Sequence, residues 1–219
     1  MKSNGLYHGN SHHGSTNKVL FHFGSLLLVG AVLYLVYLYY PLGNALTNYW
    51  LAEIGFSKRL SVEEQIRKVD IKPGEFYINV PKIMASAKII PNVSAFDQKE
   101  YLRILGDNIV AQAKGSNFPG NGLGSMMYVF AHSTQQGVGM LRKNAVFYLL
   151  GQLNKSDLIA INYNGKIYRY QVYDRKIVGA KETEYLEYRD PNKEILILQT
   201  CWPIGTDWNR LLIFGELVK

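Results

Sequence analysis

Two hydrophobic patterns divide this chain. The first is continuous: the 22 positions from Val19 to Tyr40 (VLFHFGSLLLVGAVLYLVYLYY) hold no Asp, Glu, Lys or Arg. A helix of that length reaches about 33 Å, enough to cross a hydrocarbon core of about 30 Å. Tyr34, Tyr37, Tyr39 and Tyr40 gather near its end, where aromatic rings favour the membrane interface. Pro41 and Gly43 predict that the helix stops there. Gly43-Asn44-Ala45 makes a poor cleavage site, so the segment reads as an uncleaved anchor rather than a signal peptide.

The second pattern begins near Ile71 and is the alternation of strands. Phe76 to Val80 alternates and meets Pro81; Lys88 to Ile90 is a short strand before Pro91. Further strands are predicted over 109–114, 125–131, 158–163, 166–175, 194–200 and 210–218. Asn164-Gly165 joins two of them as a tight hairpin. Asp97 to Leu105, closed by Gly106, reads as a helix, and Leu141 to Leu153 as helical in part. About eight strands with little βαβ alternation predict a mixed barrel or sandwich rather than a doubly wound sheet.

The rest of the chain falls into place around these segments. Residues 1–18 are polar and predict a disordered tail; 19–40 is the anchor; 41–70 is a stalk or linker; 71–219 is the globular domain. Ser61 and Glu64 form a capping box for a short stalk helix. Lys2 and Lys18 precede the span and the first charge after it is Glu53, which favours the N-terminus inside and the domain outside the cell. The net charge of +7 is spread along the chain, without a basic stripe carrying aromatics, so nucleic acid is not an expected partner. The glycine-rich loop 115–124 lacks the strand–GxGxxG–helix context of a phosphate cradle.

Candidate chemistry is sparse, which makes it informative. There is one cysteine, Cys201, so no internal disulfide and no Cys-rich zinc site can form. Four of the five histidines lie in the first 22 residues, and the fifth is His132, at the end of a strand. Arg210 opens the last strand. A cysteine attacks as its thiolate, an imidazolium can protonate a leaving amine, and a guanidinium fork can hold an oxyanion. Cys201, His132 and Arg210 together cover those roles. Each also has a structural reading: Cys201 shares strand parity with Ile195 and Ile197, as a small core residue would, and His132 and Arg210 are ordinary strand-end residues.

The order and spacing of these residues resemble the sortases, membrane-anchored cysteine transpeptidases of cell envelopes. Ile197-Leu198-Gln199-Thr200-Cys201 is similar to the family's Thr-Leu-x-Thr-Cys, with Ile197 in place of the first threonine. Asn209-Arg210-Leu211 resembles its arginine strand, and Ala131-His132-Ser133 its histidine motif, with Ala131 departing from glycine. Tyr77 to Ile83 resembles the Ile-Pro-Lys-Ile strand, and Phe118 to Gly122 the Pro-Gly loop.

The resemblance covers about 71–219 and implies an eight-stranded sortase-type β-barrel with short helices behind one N-terminal transmembrane helix. It implies catalysis by His132, Cys201 and Arg210, with Thr200 lining the substrate site and segment 176–193 shaping substrate choice. Surface proteins bearing a C-terminal sorting signal similar to Leu-Pro-x-Thr-Gly would be cut between Thr and Gly and passed to an amine of a cell-wall precursor or a pilin lysine. No cofactor and no metal are expected. Residues 41–75 contain no Asp-Pro pair of the kind found in pilin-polymerising lids, and 115–124 contain no acid, so no calcium dependence is expected. The rival readings are a hydrolytic cysteine peptidase and a catalytically inactive, membrane-tethered barrel used for adhesion or assembly.

Overall fold

The structure, a computed structural model, describes residues 13–55, 64, 75–105, 108–131 and 145–218. The chain forms two compact units, one ending at Tyr39 and one beginning at Tyr40. Helix α1 (His13–Glu53) contains the apolar stretch Leu20–Tyr40, and among the described residues it is the one helix long and apolar enough to cross a membrane. It does not stop at Pro41 as expected. A proline removes one ladder hydrogen bond, but packing decides whether a helix survives that loss. Here Ala45, Leu46 and Tyr49 lie against the core of the second unit, with Tyr49 only 5% exposed. Lys82 Nζ reaches Glu53 Oε2 at 3.1 Å and lies 5.8 Å from the centre of the Tyr49 ring.

Residues expected to be stalk thus supply core to the second unit. Tyr49→Ala should lower its stability by roughly 3 kcal/mol, the scale for truncating a buried aromatic. For a unit of this size that is a melting-temperature loss of about 6–12 °C, read by thermal unfolding of the full chain in detergent micelles. An unchanged melting temperature would show that the helix end only rests on the surface. The capping box falls on Ser61 and Glu64; Ser61 lies outside the described residues.

The strands are β1 (Tyr77–Val80), β2 (Ala85–Val93), β3 (Ile109–Ala113), β4 (Met126–Phe130), β5 (Leu158–Tyr163), β6 (Lys166–Gly179), β7 (Ile195–Trp202) and β8 (Asn209–Val218). They close into a barrel in the order β1-β2-β3-β4-β7-β8-β6-β5. β2 with β3 and β4 with β7 run parallel; the other neighbours are antiparallel. The hairpin at Asn164-Gly165 is as expected, both residues having positive φ (50° and 73°). β2 runs past Pro91 because its register with β3 shifts between Ile90 and Val93, a bulge that removes the need for the missing N–H. β6 outlasts its expected end at Arg175 because pairing with β8 continues to Gly179. Within 141–153, residues 145–147 and 150–152 form 3₁₀ turns, and 141–144 lie outside the described residues.

Alternation sorts the side chains into two clusters. Every strand sends residues inward, among them Ile78, Ile89, Val110, Val129, Ile161, Val172, Leu198 and Ile213. A second cluster lies outside the barrel on β3, β4, β7 and β8, where Tyr128, Ile197 and Phe214 pack beneath Tyr185, Leu186 and Tyr188 of the β6–β7 segment. Its other side is closed by Ile104 and Leu105 at the end of helix α2 (Gln98–Ile104), which is capped by Asp97 Oδ1 accepting from the Lys99 and Glu100 amides at 3.0 Å. β7 is thus covered on both faces, which explains its unbroken Ile-Leu-Ile-Leu run.

The glycine loop holds no outward cradle. Buried Glu194 accepts from the amides of Gly120 (2.6 Å) and Gly122 (2.8 Å) and from the Tyr170 hydroxyl (3.0 Å). Gly120 has φ +84°, and a Cβ there would sit 2.6 Å from the Tyr168 ring, so the turn requires glycine.

Candidate active site

The site is built at the carboxyl end of β7, on the outer face of the barrel. Side chains at 195, 197, 199 and 201 point outward and those at 196, 198 and 200 point inward, since successive strand residues alternate. Cys201 is 9% exposed and forms part of the floor of a groove of about 280 Å³. Tyr128, Phe130, Gln199 and Arg210 complete that floor. Ala180, Glu182, Thr183 and Leu186 of the β6–β7 segment form one wall, and Ala95 and Phe96, between β2 and α2, the other.

Arg210 is the direct cross-strand partner of Cys201, because β7 and β8 pair antiparallel with Cys201 opposite Arg210. Facing side chains of such a pair have Cβ atoms about 5 Å apart. One end of the guanidinium is fixed: Nη1 donates to the carbonyls of Asp207 and Asn209, both at 3.0 Å. Among the described residues no carboxylate pairs with it, and Arg210 lines the groove.

β4 brings the third expected residue to the same edge. It runs parallel to β7 with Phe130 opposite Gln199, and the Ala131 amide donates to the Gln199 carbonyl at 3.2 Å. Ala131 lines the groove. His132, which follows it, lies outside the described residues, so the structure brings together two of the three expected catalytic residues and the chain position next to the third.

Thr200 departs from expectation. Its side chain faces the barrel interior with Leu196 and Leu198, is 2% exposed, and its hydroxyl has no partner among the described residues. The groove position goes instead to Gln199, two residues before Cys201 on the same face. The Tyr128 hydroxyl donates to Gln199 Oε1 at 2.5 Å. Burial pushes the Tyr128 hydroxyl well above the ordinary tyrosine range, against the opposing pull of the Arg210 charge, so it stays a neutral donor. Parity with Cys201 is the sequence signal for Gln199; nothing local marks Tyr128, while Glu182 falls in the 176–193 segment expected to shape substrate choice. Among the described residues no group of three or more His, Cys, Asp or Glu could hold a metal.

The arrangement places one thiol opposite a guanidinium held at one end, both on the floor of one groove. A family model described as the Sortase domain matches residues 78–218. Comparison with curated proteins finds no match. Among solved structures, sortase C-1 from Actinomyces oris is 26% identical, with a TM-score of 0.54, covering 74% of this chain and 83% of that one. A lid mutant of sortase A from Corynebacterium diphtheriae is 24% identical (TM-score 0.53; 72% and 77% covered). A pilus-related sortase C of Group B Streptococcus is 21% identical (TM-score 0.54; 82% and 90% covered). The last two bear on the fold alone.

Proposed function

This chain belongs to the sortase family and is a sortase-type cysteine enzyme, and from that premise we propose that it is a membrane-anchored transpeptidase cutting a Leu-Pro-x-Thr-Gly-like sorting signal between Thr and Gly. The observation that carries the reading is the pairing of Cys201 with Arg210 on one groove floor. Cys201 Sγ attacks the Thr carbonyl carbon, and the opening C=O bond leaves an oxyanion to which Arg210 donates. Collapse breaks the C–N bond. The departing glycine amine takes a proton from His132 and leaves a thioester on Cys201. An acceptor amine then attacks the thioester carbonyl, gives its proton to His132 and expels the sulfur.

The substrates are surface proteins carrying a C-terminal sorting signal, and the acceptor is an amine of a cell-wall precursor or a pilin lysine. The anchor is the apolar part of α1, Leu20–Tyr40, with Lys2 and Lys18 on the inner side and the barrel outside the cell. Fixing the reacting carbonyl between a rigid strand pair and a loop wall supplies the orientation that two-step acyl transfer needs.

Full-length protein in detergent micelles, given a library of Leu-Pro-x-Thr-Gly peptides and an oligoglycine amine, should show an acyl adduct on Cys201 by mass spectrometry and a ligated product. Release of free acid alone, whatever the amine concentration, would make it a hydrolytic peptidase. No adduct with any peptide would remove the enzymatic reading.

A further inference from the structure

We propose that Gln199 recognises the peptide in the groove, its amide N–H₂ donating to a substrate backbone carbonyl within about two residues of the scissile bond, and that buried Tyr128 is the positioning residue that aims it. The inference rests on the peptide-transfer reading above and names a contact which that reading does not supply.

Three observations carry it. Gln199 shares the outer face of β7 with Cys201 and lines the same groove. Two strand residues span about 7 Å, the length of two residues of extended peptide, so the amide stands beside the backbone flanking the reacting carbonyl. The glutamine is also fixed: its Oε1 is taken by the Tyr128 hydroxyl at 2.5 Å. A glutamine side chain has one acceptor oxygen and two donor hydrogens, so with the oxygen engaged only donors remain to face the groove. The amide nitrogen has no partner among the described residues. The donor end is thus left to meet a peptide lying in the groove that Gln199 lines.

The supporting geometry is rigid. Tyr128 sits on β4 and Gln199 on β7, adjacent parallel strands paired from Met126–Ile195 to Phe130–Gln199. Tyr128 is buried in the outer cluster beneath the groove. A neutral donor suits a neutral carbonyl; the developing negative charge belongs to Arg210.

The test uses the full chain in micelles and a Leu-Pro-x-Thr-Gly peptide that acylates Cys201. Gln199→Met keeps the side-chain length without the donors. It should raise KM about five- to tenfold, the range for one neutral hydrogen bond, with kcat within about twofold. Gln199→Glu still accepts from Tyr128 but has no N–H to give, and should not recover the native KM. Tyr128→Phe should raise KM about two- to fourfold, and the Tyr128→Phe/Gln199→Met double variant should match Gln199→Met, because Tyr128 acts only through Gln199. A native KM in Gln199→Met, or single effects that multiply in the double variant, overturns the inference while transfer itself stands. If Tyr128→Phe does not fold, the two Gln199 variants decide. If the native protein forms no thioester with any peptide, the transfer reading fails and this contact falls with it.

Discussion

Replacing Cys201 with alanine should abolish acyl-adduct formation and reduce peptide transfer by at least about 10⁴-fold, while the barrel stays folded. Covalent catalysis has no substitute here: Cys201 is the only thiol in the chain. What remains in the variant is substrate positioning and the Arg210 donors, which cannot form the C–S bond that divides the reaction into two easier steps. The fold should survive because the change removes one sulfur from a partly open floor. β7 keeps its backbone pairing with β4 and β8 on either side, including the step opposite Arg210. A stability loss of about 1 kcal/mol, typical of a point substitution, is the expected scale. Intact-mass spectrometry after peptide incubation and a thermal melt read the two halves of the prediction. Transfer above about a hundredth of the native rate would place the nucleophile elsewhere, and unfolding of the variant would make Cys201 a core residue first.

Local pattern is enough where the deciding interactions are themselves local. Strand alternation and the Asn164-Gly165 turn were readable because period and turn chemistry act over a few residues. Eight strands were expected and eight close the barrel. The strand order was not readable from local pattern: placing β4 beside β7 is a long-range choice between strands some 70 residues apart. Two prolines misled in the same way. Pro91 stays within β2 because a bulge absorbs it, and Pro41 stays within α1 because Tyr49 gains a core beyond it. Both outcomes depend on packing partners that the neighbouring sequence does not name.

The site divides along the same line. Cys201 and Arg210 stood out through residue type and strand-end position, and the antiparallel register makes them direct neighbours. Motif position points to Thr200, whereas parity turns it inward and gives the groove to Gln199. The two-residue strand period counted from Cys201 gives that placement from the sequence alone. Tyr128 could be found only once β4 and β7 were adjacent. His132 remains an expectation carried by resemblance, since it lies outside the described residues.

The same register makes a second large effect follow from a substitution that keeps the charge. Arg210→Lys should cost roughly 10²- to 10³-fold in kcat with little change in KM, the scale for losing a preorganised oxyanion donor. In the proposed mechanism the guanidinium has two tasks that separate along its planar fork. Nη1 is anchored on the carbonyls of Asp207 and Asn209, which locks the plane, and in that mechanism the N–H groups not so engaged donate to the substrate oxygen across from Cys201. A lysine ammonium is a single point of charge on a flexible stem. Held by the loop carbonyls, it is withdrawn from the groove; turned to the oxyanion, it gives up its anchor and must be ordered anew in each turnover. Either way charge is conserved and preorganisation is lost, so the penalty falls on the transition state and not on ground-state binding. Stability should change little, because no described carboxylate depends on Arg210 for its partner. Steady-state kinetics with peptide and amine, alongside a thermal melt, separate these effects. A kcat within a few-fold of native would mean that positive charge alone suffices, and that the oxyanion is held by other donors.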